Sequence, residues 1–219
     1  MGGNRVRIAP YSEPVAPSGF KIETTRMHLR SLLATILLAA GSTAQGADQN
    51  EHFAIKGIGL QTCADYVRAR KEQTPQYFQF GGWMEGYISA TNRYEKATFD
   101  LVPWQSSGVL ATWLQTFCER NPNAEFVRAV GALVTALGED RLQARSEVLN
   151  FDIDGKVHYV YADVLRRAQE KLAARGMYQG PADGTLNADT QEALKRFQGE
   201  RDLKPTGMPE QATLALLLQ

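Results

Sequence analysis

The last third of the chain leaves few folds open. From Asp163 to Leu217, apolar residues recur at helical spacing in three short runs, parted by two turns that carry glycine and proline. Val164, Leu165, Ala168 and Leu172 make one apolar face of a first helix, expected from Asp163 as N-cap to Arg175, and Gly176 stops it. The turn beyond holds Tyr178, Gly180, Pro181 and an Asp183-Gly184 pair, residues that accept the unusual dihedral angles of tight turns. A second helix, capped by Asn187 or Asp189, turns Thr190, Ala193, Leu194 and Phe197 inward and leaves Glu192, Lys195 and Arg196 in water. Lys204, Pro205, Thr206 and Gly207 make the second turn, and Pro209 suits the first turn of a third helix. Thr213, Leu214, Leu216 and Leu217 supply its apolar patch, so that three helices close a small core.

These positions resemble the type 1 peptidoglycan-binding domain, a three-helix module attached to many cell-wall hydrolases and envelope proteins. Tyr178, Gly180, Asp183, Gly184, Thr190, Ala193, Phe197 and Gln198 follow its G-Y-x-G-x-x-D-G…T-x-x-A-x-x-x-F-Q pattern, and Leu203, Thr206 and Gly207 follow its L-x-x-T-G. The likeness covers residues 163–219 and departs from the pattern at Ala168, where a larger apolar residue is usual, and at Asn187, which replaces a frequent glycine. It implies peptidoglycan as a partner. Most matching residues read as scaffold, the glycines for turns and Phe197, Leu194 and Leu172 for packing. The polar and aromatic remainder, Tyr178, Asp183, Arg196 and Gln198, are the candidate contacts to glycan or stem peptide, with Asp183 equally readable as a turn former.

The other end of the chain bears on compartment. Met27 to Arg30 is a short basic start, Leu32 to Ala40 an apolar run of nine residues, and Ala44-Gln45-Gly46 a small-residue cleavage site before Ala47. This predicts a secretory signal peptide over residues 27–46, with residues 1–26 a misassigned, disordered start and a mature, periplasmic protein from about residue 47. The apolar run is about half the roughly 20 residues that a membrane span needs, and no cysteine follows the cleavage site to carry a lipid. The whole chain has 24 basic and 24 acidic residues; residues 1–46 hold five and two of them, leaving 19 and 22 in the mature protein. No basic patch for nucleic acid is present.

Cys63 and Cys118 are the two cysteines, and in an oxidising compartment a lone pair is expected as a disulfide. The other reading, a nucleophilic cysteine with a histidine base, has in the mature region only His52 and His158 to draw on, neither in a hydrolase motif. Around the cysteines, helices are expected from Thr62-Cys63, from Gly82 to Ile88 onward after an interruption at Pro75, after Pro103 through Val109, Leu110, Trp113, Leu114 and Phe117, and from Phe126 to Leu137. The disulfide would clip the first of these to the third. Residues 57–138 resemble the HdeA/HdeB-like small periplasmic helical proteins and related immunity proteins, through the two cysteines, Gly86-Tyr87, Trp113-Leu114 and Asn121-Pro122. That resemblance implies a protein partner or client.

Residues 139–160 form a connector, charged from Glu139 to Ser146, after which Val148 to Tyr161 alternates apolar and polar residues around Asp154-Gly155. It reads as a short β-hairpin, packed beside either domain, or as an ordered linker. The expectation is therefore a mainly α protein, with a disulfide-clipped helical domain over residues 47–138 and a three-helix peptidoglycan-binding-like bundle over residues 161–219. No zinc-ligand motif occurs, and the acids open to muramidase chemistry, Glu85, Glu95 and Asp100, are dispersed. Catalytic residues, metal and cofactor are expected to be none. The function so read is non-catalytic binding of peptidoglycan and of a protein partner. The alternatives are a wall-tethered acid-stress chaperone and a cell-wall hydrolase of unfamiliar type.

Overall fold

Thr62 starts the first helix by a reciprocal cap. In the computed structural model, which describes residues 48 and 52–218, Thr62 Oγ1 accepts from the Asp65 backbone N–H at 3.2 Å, and the Asp65 carboxylate accepts from the Thr62 N–H at 3.1 Å. Two orphan donors of helix α1 (Cys63–Glu72) are thereby satisfied. The Thr62 hydroxyl, above all, holds the Asp65 carboxyl below its ordinary value of 3.8. The next donors bond to chain far along the sequence, Cys63 N–H to the Ala124 carbonyl at 2.8 Å and Ala64 N–H to that of Pro122 at 2.9 Å. Asn121-Pro122 therefore has a structural task at the start of α1.

Helix α2 runs Pro75–Tyr94. Pro75 begins it rather than interrupting the chain, so the expected start at Gly82 was too late. At the first helical position proline lacks only an N–H that has no partner there anyway. Helix α3 (Ser107–Arg120) is capped by Ser106, and α4 (Phe126–Leu137) presents the expected broad apolar face. Cys63 and Cys118 are fully buried and joined, clipping α1 to α3 as expected. Around them Tyr66, Phe80 and Phe126 pack ring on ring, with centroids 4.7 to 5.3 Å apart. The Tyr66 hydroxyl donates to the Ala111 carbonyl at 2.9 Å, and burial pushes its pKa up to about 12.

Residues 148–161 form an antiparallel hairpin, β1 (Val148–Ile153) and β2 (Lys156–Tyr161), closed by Asp154 and Gly155 at φ 52° and 77°. Two successive positive φ values are what a two-residue type I′ turn demands. Phe151 and Val160 point into a second core made by α5 (Ala162–Ala174), α6 (Ala188–Glu200) and α7 (Gln211–Leu217). The hairpin thus belongs to the C-terminal bundle. It also feeds straight into α5, which corrects the expected cap: Tyr161, not Asp163, stands at the N-cap, without a side-chain bond. The strand's own approach supplies the acceptors, Glu147 carbonyl to Ala162 N–H at 2.9 Å and Ser146 Oγ to Asp163 N–H at 3.0 Å. Asn187 caps α6, accepting from Thr190 N–H at 2.9 Å. Pro209 stands before the N-cap Glu210 of α7 rather than inside its first turn, and Leu216 is 46% exposed, outside the apolar patch expected of it.

The two cores are bridged. Trp104, ahead of α3, packs on the second core and meets Trp113 edge on, at 6.3 Å. Ser106 N–H donates to Gln211 Oε1 at 2.7 Å, and Arg167 reaches the carbonyls of Asp140 and Arg141. Among the described residues no helix is long and apolar enough to cross a membrane. The expected signal peptide and the segment ahead of it lie outside the described residues.

Two outcomes follow from the first core. Replacing Cys63 and Cys118 together by alanine should lower the unfolding free energy by up to about 4 kcal/mol, the chain-entropy value for a cross-link over 55 residues, read from denaturant titration with and without reductant. Asp65 has a depressed folded pKa, so its contribution is complete above its unfolded value near 3.8 and fades as pH falls through the lower folded one. Asp65→Asn should therefore be less stable than wild type at neutral pH, with the gap narrowing below pH 4, as followed by thermal melts across that range.

Candidate functional site

The turn between α5 and α6 is built around Gln169, whose side chain is fully buried on α5. Its Oε1 accepts from Gly184 N–H at 2.8 Å, while its Nε2 donates to the Thr185 carbonyl at 3.0 Å and to Thr190 Oγ1 at 2.9 Å. Gln198, fully buried on α6, does the same for the next turn. Its Oε1 accepts from Gly207 N–H at 2.8 Å and its Nε2 donates to the Met208 carbonyl and to Thr213 Oγ1, both at 2.9 Å. The same amide clamp is used twice, each on a glycine of positive φ followed six residues later by a buried threonine.

Gln198 is thereby removed from the ligand candidates: it has no surface, and both ends of its amide hold the second turn. Tyr178 is largely enclosed as well, its hydroxyl donating to the Pro181 carbonyl at 2.9 Å. Its ring leaves no room beside it, since a Cβ on Gly180 would lie 2.6 Å from the hydroxyl. Gly184 is constrained twice over, by φ of 77° and by the Ala162 carbonyl oxygen, 2.5 Å from where its Cβ would be. Asp183 is exposed but acts as a turn former. Its carboxylate accepts from Thr185 N–H at 2.9 Å and Thr185 Oγ1 at 2.7 Å, and these bonds, the backbone one first, hold its carboxyl below the usual range.

Beside this turn lies an open cavity of about 480 Å³, lined by Tyr178, Gly180, Asp189, Glu192 and Arg196. Arg196 is the one expected contact that sits here exposed, its guanidinium donating to the Met177 carbonyl. Asp189 and Glu192, which the sequence reading took for a cap and a wet surface residue, share the wall with it. Their signal was the spacing, since residues 189, 192 and 196 fall on one helical face.

In the disulfide module an apolar cavity of about 350 Å³ opens between α2 and α3, bordered by Phe78, Gly81, Gly82 and Gly108. Glu85 at its edge accepts from Ser107 Oγ at 2.6 Å. Glu95 lies at the far end of the same helix, about 15 Å from Glu85 along its axis. Asp100 accepts from Val102 N–H at 3.0 Å, in a bridge to Leu142. His158 stacks on Phe151 in the hairpin. Among the described residues no group of three or more His, Cys, Asp or Glu side chains could hold a metal ion.

The clamp and the cavity respond to substitution differently. Gln198→Leu leaves the Gly207 N–H and the Thr213 hydroxyl without their partner inside the core and should cost about 3 kcal/mol, whereas Arg196→Ala, at the surface, should change stability by no more than about 0.5 kcal/mol. Chemical denaturation of the two variants beside wild type measures both.

Comparison with known proteins agrees with the reading of this module. Residues 162–217 match the family model described as "Putative peptidoglycan binding domain". No curated protein and no solved structure matches the chain. The match does not extend to residues 57–138, whose likeness to the HdeA/HdeB-like proteins is not supported by these comparisons. What carries a family assignment is the C-terminal three-helix bundle, and that bundle is a peptidoglycan-binding domain.

Proposed function

We propose that this is a non-catalytic protein of the periplasm, held on peptidoglycan by residues 162–217 and carrying the disulfide module as a binding surface for a protein partner. The observation that carries the reading is the family match, together with an open, polar cavity beside Tyr178 inside the matched span. The buried Cys63–Cys118 bond supports an oxidising compartment. The apolar cavity between α2 and α3, with Phe78 70% exposed at its rim, supports the partner role. A second reading, a wall-tethered chaperone released by acid, is favoured by Asp65, whose protonation at low pH weakens the cap of α1.

Co-sedimentation with purified sacculi tests the anchor. The mature chain should pellet with sacculi and not with cross-linked dextran, and it should release no soluble muropeptides. Filling the cavity with Glu192→Trp should weaken pelleting by about tenfold, equivalent to 1.4 kcal/mol, at an unchanged melting temperature. Absence of pelleting would sink the anchor; muropeptide release would sink the non-catalytic reading. If client holding appears only at low pH in the wild type and extends toward neutral pH in Asp65→Asn, whose side chain is uncharged like the protonated acid, the chaperone reading replaces that of a dedicated partner.

A further inference from the structure

The wall of the Tyr178 cavity carries charges that do not neutralise one another. Helical spacing would let Glu192 pair with Arg196 four residues on. On α5 similar spacings are used in that way: Arg166 meets Asp163 at 3.3 Å and Glu170 at 2.8 Å. On α6 no such pair forms. Arg196 is drawn instead to the Met177 carbonyl, which occupies part of a guanidinium with five N–H donors, and the carboxylates of Asp189 and Glu192 make no hydrogen bond or ion pair among the described residues. Two unpaired carboxylates and a fixed guanidinium thus line one cavity in the order minus, minus, plus along a single helix face.

An uncharged sugar can hydrogen-bond to such an array through its hydroxyl groups but cannot neutralise it. A group bearing an ammonium and a carboxylate a few bonds apart satisfies both ends, with charge-assisted hydrogen bonds from the ammonium to the acids and from the guanidinium to the carboxylate. Tyr178 and Gly180, packed against each other, close the remaining wall of the cavity. We propose that the cavity lined by Asp189, Glu192, Arg196 and Tyr178 takes the zwitterionic end of a diamino acid in a peptidoglycan stem peptide, the ammonium on the two carboxylates and the carboxylate on Arg196. This rests on the wall-binding reading and names the part of the polymer that is recognised.

The test uses the full mature chain and three soluble probes, followed by NMR titration. They are the tripeptide L-Ala-γ-D-Glu-meso-diaminopimelate, the same tripeptide acetylated on the free side-chain amine, and the peptide-free disaccharide of N-acetylglucosamine and N-acetylmuramic acid. The tripeptide should bind, and acetylation should weaken it about fivefold, the loss expected of one largely exposed ion pair. Glu192→Gln should weaken the free tripeptide but leave the acetylated one unchanged, so that discrimination between them narrows to what Asp189 alone sustains. Arg196→Gln should weaken both equally. Melting temperatures of the variants guard against a trivial loss of fold. Equal binding of the free and acetylated tripeptides, or disaccharide binding as tight as the tripeptide, overturns the proposal. If the protein pellets with sacculi but no tripeptide binds, only this proposal falls; if it does not pellet, the wall-binding reading falls with it.

Discussion

Two buried amides hold the C-terminal module in shape. Gln169 and Gln198 each accept from a glycine N–H and donate to a carbonyl and a threonine hydroxyl, so that a turn with no room for side chains is tied to the helix before it. A primary amide suits this task because it accepts and donates at opposite ends of one planar group. Burying such a group is costly unless it is satisfied, and both are satisfied entirely from within the protein. The Tyr178 cavity depends on the first clamp: fixing Gly184 sets the path of the turn that carries Tyr178 and Gly180.

The same economy of backbone partners governs the joins. No loop separates β2 from α5, so the helix takes its first acceptors from residues just ahead of β1. Helix α1 takes its first acceptors partly from its own cap and partly from the segment after α3. In both places a helix end that would otherwise expose unpaired N–H groups is closed by chain distant in sequence.

Much of this was legible in the residues. Helical periodicity, the glycine turns and the Asp154-Gly155 hairpin turn report local demands, the pairing of Cys63 with Cys118 follows from there being two cysteines, and all are present in the fold. The readings that failed turned on partners or positions the residue types alone do not reveal. Asp163 looks like a cap until the hairpin is seen to do its work, and Pro75 looks like a break until Thr74 is seen to precede a helix beginning there. Gln198 looks like a polar ligand contact because a buried amide and an exposed one are spelled alike. What could have separated them is the repeat of glycine and threonine six residues apart, Gly184 with Thr190 and Gly207 with Thr213, each following a helical glutamine. The charged face of Asp189, Glu192 and Arg196 was visible as spacing, but not its lack of internal pairing.

The bridge between the cores sets the mechanics of the whole. Trp104 is lodged on the second core while the helix it precedes belongs to the first, and Ser106 and Arg167 fasten the same joint with hydrogen bonds. A tether of flexible residues would let a cargo explore a sphere around its anchor, with local concentration falling as the tether lengthens. This joint acts instead as a bracket. The groove between α2 and α3 and the Tyr178 cavity thus sit on two cores joined by packed rings and hydrogen bonds, where a leash would have free chain.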